Sequence, residues 1–289
     1  MPPFNRRLVP FTKMHGLGND FAVIYTPDNS LSLDPGFISR LANRHIGIGF
    51  DQLLLIETSA RADFFCRIYN ADGSEAEQCG NGLRCVARLI HEQGLSKDRQ
   101  FEIETRAGIF SLQVYDYDHI QIIMGTPQIE SAMIELELPD THRHLPISIL
   151  SMGNPHAIIK VDSLITAGIE ELAPRISAHS RFPEGVNIGF MQVLSKHHIR
   201  LRTHERGSGP TLACGSNACA AVAAGIANGW LNQSVNVEFE YGSLDIEWQG
   251  DGHTIKMTGP AVTVYTGEIS LPIMSDEKRP DNESGLSQS

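Results

Sequence analysis

Two kinds of hydrophobic pattern recur along the chain, and each occurs twice in the same order. Phe101-Glu-Ile-Glu-Thr is followed by Phe110-Ser-Leu-Gln-Val, and Val235-Asn-Val-Glu-Phe is followed by Leu244-Asp-Ile-Glu-Trp. This period-two alternation predicts half-buried antiparallel strands joined by short glycine turns. Ahead of each strand pair lies a helical run, residues 86–93 and 220–228, stopped by Gly94 and Gly229. Ahead of each helix stands a polar turn containing Cys79-Gly80-Asn81 or Cys214-Gly215-Ser216. Further glycines, Gly108 with Gly242 and Gly125 with Gly259, hold the same spacing to within one residue. The agreement of these landmarks predicts two homologous halves, each presenting one cysteine.

The expected fold is therefore α+β. Two pseudo-symmetric halves, residues 9–125 and 126–262, each form a curved, mostly antiparallel sheet around a central helix, with the active site in the cleft between them. A terminal strand near 263–273 is expected to pack back onto the first half. Residues 274–289 and the first eight residues are poor in apolar side chains and are read as a disordered tail and a short extension. At 289 residues the chain is long enough for each half to have its own core.

Composition narrows the function. A formal net charge of -11 argues against a nucleic-acid backbone as partner, because phosphate binding needs clustered Lys and Arg. The longest apolar run, residues 218–227, is about half of what a membrane span needs. The opening residues carry no apolar stretch behind their charges, so no export signal is expected. Five cysteines, an odd number, then fit a reducing cytoplasm rather than a disulfide scaffold. There is no Cys-x-x-Cys, His-Glu-x-x-His or Gly-x-Ser-x-Gly, and the glycine pairs Gly16/Gly18 and Gly47/Gly49 lack the dinucleotide fingerprint. No metal and no cofactor are expected.

The thiols carry the chemistry that remains. Cys79 and Cys214 fall at predicted helix N-termini, where free backbone N–H groups hold anions and bias a thiol toward thiolate. Cys85 and Cys219 share no helical face with these two, and Cys66 sits in an apolar run; all three read as core fillers. Two opposed thiols, one per half, suit inversion of a carbon beside a carboxylate, with a base on one face and an acid on the other. Helix N–H groups would steady the carboxylate as carbanion character builds.

Ordered blocks along the chain resemble the diaminopimelate epimerase family. They are residues 13–21 (Lys-Met-His-Gly-Leu-Gly-Asn-Asp-Phe), 44–52 (Arg-His-Ile-Gly-Ile-Gly-Phe-Asp-Gln), 69–75, 78–85 (Gln-Cys-Gly-Asn-Gly-Leu-Arg-Cys), 152–156, 186–187, 205–207 and 213–216. The resemblance spans about Phe11 to Leu271. Related proline racemases place Gly-His-Gly after the first cysteine, where this chain has Gly80-Asn81-Gly82. The resemblance implies a cofactor-independent enzyme interconverting LL- and meso-diaminopimelate in lysine and peptidoglycan synthesis, as a homodimer.

Carried over by position, it makes Cys79 and Cys214 the acid/base pair, with His156 and Glu205 flanking them to place the reacting ammonium. Gly80, Asn81, Gly215 and Ser216 would hold the reacting carboxylate. Asn19, Gln52, Asn70, Asn154, Asn187, Glu205 and Arg206 would bind the rest of the small-molecule substrate. Asp20 and Asp51 are read as loop braces. Three departures surround the second thiol: Pro210 replaces a usual Glu, His204 a usual aromatic and Asn217 a usual Gly. If that glycine needs positive φ, Asn is its least costly replacement.

Overall fold

The computed structural model describes residues 6–29, 31–138 and 143–272; the tail 274–289 lies outside them. The first half contains β1 (Arg6–Gly16), β2 (Asn19–Tyr25), α1 (Pro35–Ala42), β3 (Gln52–Glu57), β4 (Phe64–Asn70) and β5 (Glu75–Ala76). It continues with α2 (Gly80–Glu92), β6 (Gln100–Thr105), β7 (Gly108–Val114) and β8 (Ile120–Ile123). The second half opens with β9 (Gln128–Leu138), β10 (Arg143–Ser151), β11 (Pro155–Val161), α3 (Ile169–Ser177), β12 (Asn187–Ser195) and β13 (His198–Glu205). Then come β14 (Gly209–Thr211), α4 (Gly215–Ala227), β15 (Ser234–Phe239), β16 (Gly242–Glu247) and β17 (Lys256–Gly259), and β18 (Val262–Pro272) follows. The fold is α+β, with a mixed, mostly antiparallel sheet in two halves. Among the described residues, no helix is long and apolar enough to cross a membrane.

The halves match in pairing as well as order. β2 and β3 run parallel across the α1 connection, as β11 and β12 do across α3. β4–β6 and β13–β15 are also parallel, while β3–β4 and β12–β13 are antiparallel. β18 pairs antiparallel with β1 from Pro272↔Arg6 to Val262↔His15, as β9 pairs with β10. The residues from Arg6 onward thus belong to the sheet and are no loose extension. Their ladder partner comes from the far end of the described chain, which no local pattern reveals. The halves join where β8 pairs antiparallel with β17, Ile120↔Gly259 to Ile123↔Lys256.

Alternation distributes the apolar side chains over two kinds of core. β2 sends Phe21 and Val23 into one cluster and Ala22 and Ile24 into another, so it reads as a continuous apolar run buried on both faces. Clusters under α1 and α3 belong to one half each. The central cluster is shared: α2 and α4 lie in it together, with strands from both halves. A separate core for each half therefore describes the outer helices and not the middle of the molecule. α4 is apolar nearly all round, as a fully buried helix must be.

The glycine stops are local chemistry. Gly94 (φ 64°) and Gly229 (φ 72°) take the left-handed conformation after α2 and α4. The following amides reach back, Leu95 N–H to Ile90 O and Trp230 N–H to Gly225 O, satisfying carbonyls that the helix end would orphan. Both helices begin earlier than their apolar runs, at the glycines directly after each cysteine.

Candidate active site

Cys79 and Cys214 are the N-cap residues of α2 and α4, both in extended backbone conformation. The Cys79 sulfur accepts from the Gly82 N–H at 3.4 Å, and Cys214 Sγ lies 3.4 Å from Ser216 Oγ. Both thiols line one cavity of about 780 Å³, walled by residues of both halves. That volume suits a small metabolite.

Twelve of the fourteen expected site residues border this cavity: the two thiols with Gly80, Asn81, Gly215 and Ser216, and Asn19, Gln52, Asn70, Asn154, Glu205 and Arg206. β2, β3 and β4 deliver Asn19, Gln52 and Asn70, and the end of β13 delivers Glu205. Asn19 Oδ1 receives both the Asn81 amide at 3.3 Å and the Cys79 thiol at 3.7 Å. Asn81 Nδ2 also donates to Ala213 O at 3.3 Å, reaching from one half to the residue before the other thiol. Glu205 accepts from Thr211 Oγ1 at 2.6 Å. Gln52 Nε2 donates to Asn70 Oδ1 at 3.0 Å, which leaves Gln52 Oε1 buried with no partner among the described residues. Gln78 Oε1 is in the same condition.

Two expected residues stand behind the wall. His156 is fully buried, in β11, and Asn187 is nearly so, at the start of β12. Neither borders the cavity, and each instead holds a residue that does. His156 Nε2 lies 2.9 Å from Asn154 Oδ1, and its Nδ1 lies 3.3 Å from Asn217 Oδ1. Asn217 gives its own NH2 to Ile188 O at 2.8 Å, so its carbonyl accepts from Nδ1–H; in that tautomer Nε2 is the acceptor, and the Asn154 carboxamide must turn its NH2 rather than Oδ1 toward it. Burial pushes the imidazole down to about 4, so it is neutral at physiological pH. Asn187 Oδ1 accepts from the Arg206 N–H at 3.0 Å while its NH2 donates to Pro155 O at 3.1 Å. The β11–β12 parallel register, His156↔Asn187, places these two side by side.

Burial also reverses the expected bias of the thiols. The helix N–H groups do favour thiolate, through Gly82 for Cys79 and Asn217 for Cys214. Desolvation outweighs them. It pushes Cys79 up to about 11 and Cys214 well above its ordinary value, and the Glu205 charge raises both further. Cys85 and Cys219 are fully buried and pushed up to about 12, and Cys66 is buried too.

The Asn at 217 is explained by bonding rather than by strain. It sits inside α4 and is absent from the positive-φ residues, which among the described non-glycines are Leu17 and Asn29. Its carboxamide lies over Gly189 in β12, where an added Cβ would come within 2.8 Å of Asn217 Oδ1. Asp20 and Asp51 form the brace beside the cavity. Burial opposes the Asp20 charge, but the Arg44 fork at 2.8 Å and the buried Lys13 prevail and hold Asp20 down at about 2. Gln78, Thr211 and Arg44 also border the cavity and were not read from the sequence; position next to Cys79 is the one signal that could have found Gln78. Among the described residues no His, Cys, Asp and Glu side chains converge as metal ligands would.

The two-half sheet with a cysteine-capped helix on each side of one cavity defines the class: a two-half epimerase fold. Solved structures share it. A phenazine biosynthesis protein of the PhzF family from Bacillus anthracis superposes with a TM-score of 0.72 at 19% identity, covering 91% of this chain and 99% of that one. A hydroxyproline epimerase from Agrobacterium vitis, solved with bound trans-4-hydroxy-L-proline, gives 0.68 at 17% identity, covering 92% and 93%. A probable proline racemase from Agrobacterium radiobacter gives 0.67 at 18%, covering 90% and 92%. The family is narrower than the fold. The diaminopimelate epimerase family model matches residues 11–130 and 148–264, and the chain belongs to that family.

Proposed function

We propose that this protein interconverts LL- and meso-diaminopimelate by passing protons between Cys79 and Cys214 across the substrate's α-carbon. The observation that carries the reading is the pair of thiols, one per half, each capping a helix at a shared cavity. Family membership supports the substrate. So does the lining: two amino-acid ends bring two carboxylates and two ammonium groups. The wall offers Arg206 and helix N–H groups to the former, and Glu205 to the latter.

In the proposed step one sulfur, as thiolate, takes the α-hydrogen. The C–H electron pair stays on the carbon and spreads into the carboxylate, where the N–H groups of α2 and α4 stabilise it. The opposite thiol gives its proton to the other face and becomes the thiolate. Only the configuration and the location of the charge have changed. The burial that raises both thiols makes each thiolate a stronger base, closer in strength to the weakly acidic α-C–H. Its cost is a small thiolate population, which the incoming substrate ammonium would offset. His156 and Asn187 act through Asn154 and Arg206 as positioning groups. The same reading has the enzyme working without cofactor, as a cytoplasmic homodimer.

The test is incubation of the protein with LL-diaminopimelate in D2O. Conversion to the meso form with deuterium at the inverted carbon is expected, and Cys79→Ala or Cys214→Ala should each slow it by about 100-fold or more. Full retention of the original hydrogen, or undiminished turnover by the cysteine variants, would overturn the reading.

A further inference from the structure

Arg84 is the largest fully buried side chain among the described residues, and no step above uses it. It stands in α2, five residues after Cys79. Its guanidinium donates to Asn81 Oδ1 at 2.9 Å and to Pro260 O at 3.2 Å, and faces Met257 Sδ at 3.7 Å. The niche is built from both halves. Gly16 on β1 leaves the room, since an added Cβ would stand 3.1 Å from a guanidinium nitrogen, and Gly259 on β17 borders the group at ordinary contact distance.

A buried guanidinium does not shed its proton, and desolvating it costs several kcal/mol unless an anion compensates. All three partners here are uncharged, and among the described residues no carboxylate pairs with it. The ionisable groups that feel its charge are three thiols, Cys79, Cys85 and Cys219. The last two are sealed in the core; Cys79 opens on the cavity. Arg84 also sets an amide. With Asn81 Oδ1 taken by the guanidinium, Asn81 Nδ2 must face Asn19 Oδ1, which receives the Cys79 thiol, and Ala213 O, which precedes Cys214.

We propose that Arg84 is a further positioning residue of this site: it pins the Asn81 carboxamide across the junction of the halves and supplies the buried positive charge against which Cys79 ionises. The charged and titratable groups around Cys79 are Arg84 and Cys85 on α2, Cys66 on β4 and Glu205 on β13. Arg84 is the cation among them, and it opposes Glu205. The catalytic meaning rests on the proposed function; the effect on the thiol does not.

The experiment follows iodoacetamide alkylation of Cys79 and Cys214 against pH, by peptide mass spectrometry, in the wild type, Arg84→Met and Arg84→Lys. Met removes the charge, and the desolvation cost that goes with it, at similar length, and leaves Asn81 Oδ1 and Pro260 O without that donor. In Arg84→Met the Cys79 thiolate limb should move up by about one pH unit, a roughly tenfold slower reaction below it, while Cys214 stays within about threefold. Arg84→Lys keeps the charge and should leave the Cys79 limb within about threefold of wild type. With diaminopimelate, Arg84→Lys should raise KM because Asn81 is released, without moving the pH profile.

Unchanged Cys79 alkylation in Arg84→Met, equal slowing of both cysteines, or a full-unit shift in Arg84→Lys would overturn the role of the charge. An unaltered KM in Arg84→Lys would overturn the hold on Asn81. Should Arg84→Met fail to fold, Arg84→Gln, which also removes the charge, takes its place under the same expectations. A wild type inert toward diaminopimelate would sink the proposed function, and the alkylation would still judge Arg84.

Discussion

Replacing Asn217 by Ala tests the reading that this amide anchors His156 and, through it, the cavity wall. Asn217 is fully buried and makes two contacts, Nδ2–H to Ile188 O at 2.8 Å and Oδ1 to His156 Nδ1 at 3.3 Å. Losing the first costs about 1 kcal/mol, and leaving the imidazole N–H unsatisfied in the interior costs about 1–3 kcal/mol. Ala returns about 0.5 kcal/mol through its better helix propensity. The net destabilisation is about 1.5–3.5 kcal/mol, a fall in Tm of roughly 2.5–6 °C for a chain of this size. Thermal unfolding followed by circular dichroism measures it, and turnover should fall in the same variant as Asn154 loses its hold. A drop below about 2 °C would refute the reasoning, since it lies under the lower end of that range; His156 would then be held by something other than Asn217.

Two further outcomes follow from the same region. Because His156 is pushed from its ordinary value down to about 4, the unfolded chain binds a proton between those values that the folded chain refuses. Stability is therefore full above about pH 6.5 and falls by up to about 3 kcal/mol as pH drops to 4. Urea unfolding at pH 7 and pH 4 checks this: His156→Gln should flatten that segment, and an equal slope in wild type and variant would contradict it. Gly189→Ala should destabilise by about 1–3 kcal/mol through overpacking, because the new methyl would stand 2.8 Å from both Asn217 Oδ1 and Ile158 Cδ1. A urea midpoint equal to wild type would show that both side chains yield freely.

Much of the fold was legible because its signals are local. The alternating runs became β6, β7, β15 and β16 within a residue or two, since strand alternation reports a face buried on one side. Gly94 and Gly229 stop their helices for a steric reason that any chain must obey. The third pair of glycines did not hold as equivalents. Gly125 is a positive-φ residue just beyond β8, while Gly259 closes β17 where an added Cβ would collide with Leu244 Cδ2. The roles of Gln78 and Arg84 escaped notice, and Asn217 was read for its backbone rather than its hydrogen bonds, because a polar residue beside a helix start reads as solvent-facing until the packing around it is known.

By itself the sequence determined the two-half repeat, the helix-capping place of Cys79 and Cys214, and most of the polar cavity wall. Caps, turns and periodicities act over a few residues, so a few residues suffice to read them. The tertiary structure alone decided the β1–β18 and β8–β17 pairings, the shared core, the retreat of His156 and Asn187 behind the wall and the upward shift of both thiols. Each of these is a sum over neighbours far apart in the chain. Desolvation in particular depends on everything packed around a group, and here it outweighs the helix N–H groups that the local pattern promised.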